Sequence, residues 1–212
     1  MTPEDIQALF TRSDDTFLFA RWGRPIVPIV FGVEDETLGV IKGAIETLCL
    51  LTGHKMAETD PELGANFMWF FFRDWSELPD VPGMDKLVDN LGPIVKQLEA
   101  AGANQYRVFR FDDTGAIKAA FVFLRMDSEL ESVTADTLAL VQAVQSILLW
   151  SDTAFRDQSA LARAKDTTVL RPDVAALLCA AYDPVMPHAA NDPSHALRLA
   201  ARVTTNRTRA LQ

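Results

Sequence analysis

Between positions 34 and 52 the apolar residues Leu38, Ile41, Ile45, Leu48 and Leu51 recur at intervals of three and four, which gathers them on one helical face. Gly53 follows as a C-terminal cap, since glycine enters the left-handed conformation without steric cost. A second long helix is predicted over residues 84–101, ending at Gly102. At the amino end, residues 1–14 predict a further helix: Thr2 caps it, Pro3 occupies the first turn, and Glu4 and Asp5 face the positive end of its dipole.

The extended segments have a different period. Residues 17–21 and 25–31 are rich in aromatic and β-branched side chains and predict one broken strand or two short ones, with Gly23 and Pro25 at the break. Residues 66–72 are too short and too uniformly apolar for a surface helix and fit a central strand covered on both faces, with Trp69 and Phe71 sharing one of them. Residues 106–111 alternate, Tyr106, Val108 and Arg110 on one side and Arg107, Phe109 and Phe111 on the other. The turn Asp112-Asp113-Thr114-Gly115 then leads into residues 117–126, which makes a β-hairpin.

Residues 136–150 predict a buried helix after Thr134 in which Asp136 alone is ionisable. Residues 151–170 read as loop with a short helix, Pro172 starts an apolar helix that stops before Asp183 and Pro184, and a last helix covers 194–203 ahead of a tail at 204–212. The order is that of a single α+β domain spanning 1–212, a small mixed or antiparallel sheet with packed helices.

The 212 residues suffice for one sizeable core, and 49% hydrophobic with 23% charged residues is ordinary globular composition. A net charge of -9 opposes nucleic-acid phosphates and anionic lipid, so neither partner is expected. Arg198, Arg202, Arg207 and Arg209 read as a solvated basic end. The amino end lacks the basic start and apolar run of a signal peptide, and no apolar stretch reaches the ~18 residues of a membrane span. The expectation is a soluble, cytoplasmic protein. Cys49 and Cys179 lie in apolar helical runs and behave as small hydrophobes; a disulfide between them stays open.

Candidate chemistry is sparse. Gly32, Gly39 and Gly43 match no phosphate-loop or dinucleotide fingerprint. His188 and His195 have no metal-site spacing and read as exposed loop residues, while His54 is placed to gain from the dipole of the helix it follows. Glu58, Asp60 and Glu62 form either a paired-carboxylate site or, as expected here, a solvated loop. Ser128, Ser132, Ser146 and Ser151 lack the context of a nucleophile elbow. The aromatic run at 67–72 has only Arg73 beside it, so it reads as core rather than a base-stacking platform.

Arg21, Trp22 and Pro25 before an apolar strand, the helix end Leu51-Thr52-Gly53, and Tyr182, Asp183 and Pro184 closing an apolar helix resemble a bacterial domain family of unknown function. That family is usually exported and is similar in architecture to the zincin-type metalloproteases; the resemblance covers 21–202 and implies a zincin-like fold. In the family, a helix after the second pair of strands carries Glu-Glu-Leu-x-Gln-x-Leu-Gly-Leu followed by Asp. Here Gln145, Leu149 and Asp152 fit parts of the pattern, the two glutamates fall on Val141 and Gln142, and the glycine falls on Leu148.

A zincin holds its metal with two histidines one helical turn apart and deprotonates water with a glutamate. Val141 does neither, the Gln142 amide does not titrate, and residues 127–155 contain no histidine. No metal, cofactor or catalytic residue is therefore expected. Gln142, Gln145 and Ser146 share one stripe and are expected to bracket the helix to a neighbouring loop, with Asp152 as acceptor. The function expected is a non-catalytic, metal-free zincin-like domain acting in binding or protein interaction, as a homo-oligomer or with another protein. The alternative is a hydrolase or other enzyme with a divergent metal-free acidic site, drawn from Glu58, Asp60 and Glu62 or from Asp152 and Asp157.

Overall fold

The computed structural model describes residues 1–165 and 167–210, the last four by backbone alone. Helix α1 (Pro3–Phe10) begins with reciprocal caps: Thr2 Oγ1 accepts from the Asp5 amide at 3.2 Å and the Asp5 carboxylate accepts from the Thr2 amide at 2.6 Å. The next segment forms two strands in different sheets, β1 (Phe19–Ala20) and β2 (Pro28–Phe31). Gly23 sits at the bend because a Cβ there would lie 2.7 Å from that of Ala116. Helix α2 (Asp35–Thr52) buries Ile41, Ile45, Leu48 and Cys49, but Leu51 turns outward, 40% exposed. Gly53 ends it with φ 68°.

Strand β3 (Phe67–Phe72) is central. After a 3-10 turn at Trp75–Asp80, the helix predicted over 84–101 is two helices, α3 (Met84–Leu87) and α4 (Leu91–Ala100). Asn90 separates them in the left-handed region at φ 56°. Pro93 explains the division: within a continuous helix it would remove one backbone hydrogen bond, whereas in the first turn of α4 its missing N–H is an orphan anyway.

The predicted hairpin is β4 (Gln105–Phe111) against β5 (Ile117–Arg125). The main sheet has the order β2-β3-β5-β4, with β2–β3 and β3–β5 parallel and β4–β5 antiparallel, so it is mixed. A short helix α5 (Ser128–Glu131) precedes α6 (Ala135–Ile147). Helix α6 stops three residues early because Leu148 leaves it to pair with Arg21. Residues 151–170 contain a hairpin that the sequence reading did not predict, β6 (Leu161–Ala164) with β7 (Thr167–Leu170). Lys165 turns it at φ 56°, and each strand is only four residues, too short for alternation to register. Helix α7 (Pro172–Ala181) follows; β8 (Ala189–Ala190), also unpredicted, pairs with β1. The last helix, α8 (His195–Ala210), continues past the predicted end at 203.

Period-two alternation along β3 and β5 divides the interior into two layers. Phe67, Trp69, Ala120, Val122 and Leu124 face α1, α2, α6, α7 and α8, whereas Phe70, Phe72, Ala119, Phe121 and Phe123 face the 3-10 turn, α3 and α4. This is an α+β domain with a sheet covered on both faces. Among the described residues, no helix is long and apolar enough to cross a membrane. Cys49 and Cys179 are free thiols. Burial pushes the Cys49 thiol up to about 12, and Cys179 Sγ donates to the Leu51 carbonyl at 3.3 Å.

Candidate functional site

The motif residues near the start and end of the chain meet around the carboxyl end of α6. Trp22 is fully buried and donates its indole N–H to the Ser146 carbonyl at 3.0 Å; Tyr182 donates its hydroxyl to the Ile147 carbonyl at 2.7 Å. Arg21 donates to the Met186 carbonyl at 3.1 Å and lies over the Tyr182 ring, while Asp183 accepts from Arg202 Nε at 2.6 Å. Pro25 contributes its carbonyl to the Asn66 amide at 2.9 Å. Gly53 acts as a helix cap and Pro184 is exposed. Trp22 and Tyr182 thereby satisfy carbonyls at the end of α6 that have no partner within the helix. Arg202 is thus an anchor between α8 and the end of α7 rather than part of a solvated tail; Arg198 is exposed, and the side chains of Arg207 and Arg209 lie outside the described residues.

Asp60, His54 and His195 depart from their predicted settings, whereas Glu58, Glu62 and His188 keep theirs. Asp60 is 5% exposed, not solvated: it accepts from the Glu62 and Leu63 amides at 2.9 Å each and from the Asn66 side chain at 3.0 Å, and it pairs with Arg24. Burial pushes its carboxyl up, but these donors outweigh that and hold it below the usual range. Glu58 and Glu62 are exposed. His54 is half-buried with Nε2 2.9 Å from the Arg24 carbonyl; burial pulls its pKa down, so it is a neutral bracket instead of a cation serving a dipole. His195 is buried, only His188 being exposed. Among the described residues no group of three or more His, Cys, Asp or Glu is placed to hold a metal ion.

Helix α6 carries Gln142 buried and Gln145 and Val141 half-buried. Their partner is not Asp152. The Oε1 atoms of Gln142 and Gln145 both accept from an Arg107 guanidinium nitrogen, which also donates to Gln105 Oε1 at 3.0 Å; the Gln142 amide donates to the same Gln105 oxygen at 3.1 Å. Asp152 is exposed and instead accepts from the Ser13 amide at 3.0 Å and hydroxyl at 2.6 Å, which holds its carboxyl low. A carboxylate stabilised in its charged form is a weak base near neutral pH. Gln142 and Gln145 do bracket α6, but to β4, whereas the buried Ser146 hydroxyl, expected to share in this, has no hydrogen-bond partner among the described residues.

Arg107 is surrounded by neutral amides. Burial lowers its pKa to about 10, which leaves it charged at neutral pH, and among the described residues no carboxylate pairs with it. Its Nε is buried without a hydrogen-bond partner among the described residues. Amide oxygens satisfy donor geometry without neutralising charge. Arg107 lines a cavity of about 550 Å³, shared with Arg12, Arg156, Tyr106, Trp150, Phe155 and the acidic Asp152. Arg12 Nε is also buried and unpartnered, although Asp14 and Asp152 lie near its charge.

The aromatic wall of this cavity is braced. Trp150 stacks on Phe10 with centroids 5.2 Å apart, donates its indole N–H to the Val144 carbonyl at 2.8 Å, and meets the Phe155 ring edge-on at 4.8 Å. Phe155 holds φ 63°, a strained conformation for a bulky residue and one that persists where surroundings impose it. None of Arg12, Arg107, Phe155 or Arg156 was a predicted site residue. One signal was present: the strand alternation puts Arg107 on the same side as Phe109, an arginine on an inward-facing row.

The arrangement offers positive charge, donors and an aromatic wall; its lining also holds Ser151 and Asp152, but the Ser151 hydroxyl is engaged with the Ala8 carbonyl and Thr153 and the Asp152 carboxylate with Ser13, so the two are not coupled as nucleophile and base. Comparison with known proteins finds no matching family model, no matching curated protein and no matching solved structure.

Proposed function

We propose that this protein is a non-catalytic binding domain, a metal-free relative of the zincin-like family it resembles, which takes a small anion in the cavity between α6, β4 and residues 150–156. The observation that carries the reading is the charge of Arg107, held by three glutamine oxygens at the wall of a 550 Å³ cavity and paired with no carboxylate among the described residues; Asp152, in the same lining, is engaged by Ser13 instead. Arg107 is half-buried with its Nε out of solvent, and withdrawing an unpaired cation from water is costly, so a chain with 29 acidic residues that pairs none of the described ones with it has a reason to keep it available. The cavity volume lies within the range of small-molecule sites. The low carboxyl pKa values of Asp60 and Asp152 favour this reading over a divergent acidic enzyme.

Titration with inorganic phosphate or acetate, followed by thermal melting, tests it. An anion at a hundred times its Kd stabilises the wild type by about 2.7 kcal/mol. Arg107→Gln is expected to abolish that gain, and Arg107→Lys, which keeps the charge but loses the planar fork, to retain part of it. No stabilisation of the wild type by either anion, or full stabilisation retained in Arg107→Gln, overturns the reading.

A further inference from the structure

A second cavity, of about 470 Å³, adjoins the arginine site. The two share Arg12 and Leu149 in their linings. Beyond that shared wall the chemistry changes: Leu18, Phe19, Phe111, Ala189 and Ala190 line the second space, and among the described residues no acid or histidine does. Its polar side chains are Thr114, Asn191 and the shared Arg12.

The walls are set by backbone pairing between distant segments. Phe19 and Ala20 pair with Ala190 and Ala189 in β1–β8, and the Leu149 amide donates to the Ala20 carbonyl at 2.9 Å. The turn of the β4–β5 hairpin closes one side, bringing Gly115 so near that a Cβ there would lie 3.1 Å from that of Ala189. The apolar space is therefore a product of the fold's three regions rather than a gap beside one mobile loop.

We infer that the two cavities form one site for an amphipathic anion, a single carboxylate or phosphate head at Arg107 and Arg12 with an alkyl chain running past Leu149 into the space between β1, β8 and the hairpin turn. This rests on the anion-binding reading above and names its substrate class. Charge complementarity fixes the head at Arg107, with Arg12 a secondary contact because Asp14 and Asp152 lie near it, and the absence of acids among the described residues of the second lining makes that space suited to hydrocarbon. The -9 net charge of the chain limits non-specific attraction of the head elsewhere on the surface.

Calorimetric titration with acetate, butanoate and hexanoate, and in parallel with inorganic phosphate and butyl and hexyl phosphate, separates the contributions. Each buried methylene is expected to tighten Kd about fourfold, hence roughly two-hundred-fold from acetate to hexanoate. The series that binds more tightly identifies the head. Ala190→Trp, or Thr114→Trp at an exposed turn position, is expected to bring the hexanoate-to-acetate affinity ratio close to one. Equal affinity for short and long members in the wild type overturns the amphipathic inference while leaving anion binding at Arg107 intact. A chain-length effect that persists unchanged in both tryptophan variants also overturns it. If no head group binds, or Arg107→Gln binds them all as the wild type does, the anion-binding reading fails and takes this inference with it.

Discussion

His195 is 2% exposed, its ring centroid lies 4.4 Å from that of Phe19, and neither ring nitrogen has a hydrogen-bond partner among the described residues. Burial, with a smaller contribution from Arg198, pulls its pKa from 6.5 down to about 4. The unfolded chain therefore takes up a proton on this ring at a higher pH than the folded one. Its contribution to stability is complete above pH 6.5 and is lost as the pH falls from there towards about 4, by on the order of 3 kcal/mol. Urea unfolding across that window is expected to show the fall, and His195→Phe to flatten most of it; an unchanged slope in the variant refutes the assignment. His54, whose pKa burial also lowers, supplies a residual slope of the same sign. Asp60 and Asp152, held below the usual carboxylate range, act only at lower pH.

At the scale of elements, the break between α3 and α4 depends on one backbone conformation. Asn90 sits at φ 56°, which asparagine tolerates because its short side chain bonds locally, whereas a β-branched residue pays about 1–2 kcal/mol there. Asn90→Gly is expected to leave the melting temperature nearly unchanged and Asn90→Val to lower stability by that amount. Equal effects of the two would show that the junction tolerates a different conformation. Pro93 made this boundary legible, and the pattern-based reading missed it by weighting apolar spacing over the proline. The β6–β7 hairpin was less accessible, since four-residue strands carry too few alternations to stand out from loop.

For the molecule as a whole, the sheet is the partition between two apolar layers, and Trp69 is its largest wholly buried member on the side of α2 and α6. Trp69→Ala is expected to cost about 3–5 kcal/mol, measured by denaturant unfolding. A cost below 1 kcal/mol would mean that the layer does not pack around it. The indole nitrogen has no hydrogen-bond partner among the described residues, so Trp69→Phe, which removes an unsatisfied donor along with some volume, should cost less than the alanine variant.

Local periodicity and chain stereochemistry determined the α+β class, α2 with its Gly53 cap, the central strand and the β4–β5 hairpin, because each depends on spacing within a dozen residues. The sequence also carried the absence of histidine from the α6 stripe and the need of its amides for partners. Which partners they found was decided by tertiary structure alone. Arg107 is 35 residues from Gln142 and 38 from Gln145, and Ser13 is 139 from Asp152. Such pairings are set by sheet order and helix packing, as is the meeting of β1 with β8, and no local pattern encodes them. The half-buried guanidinium without a carboxylate partner among the described residues and the two adjoining cavities exist only once those segments are brought together.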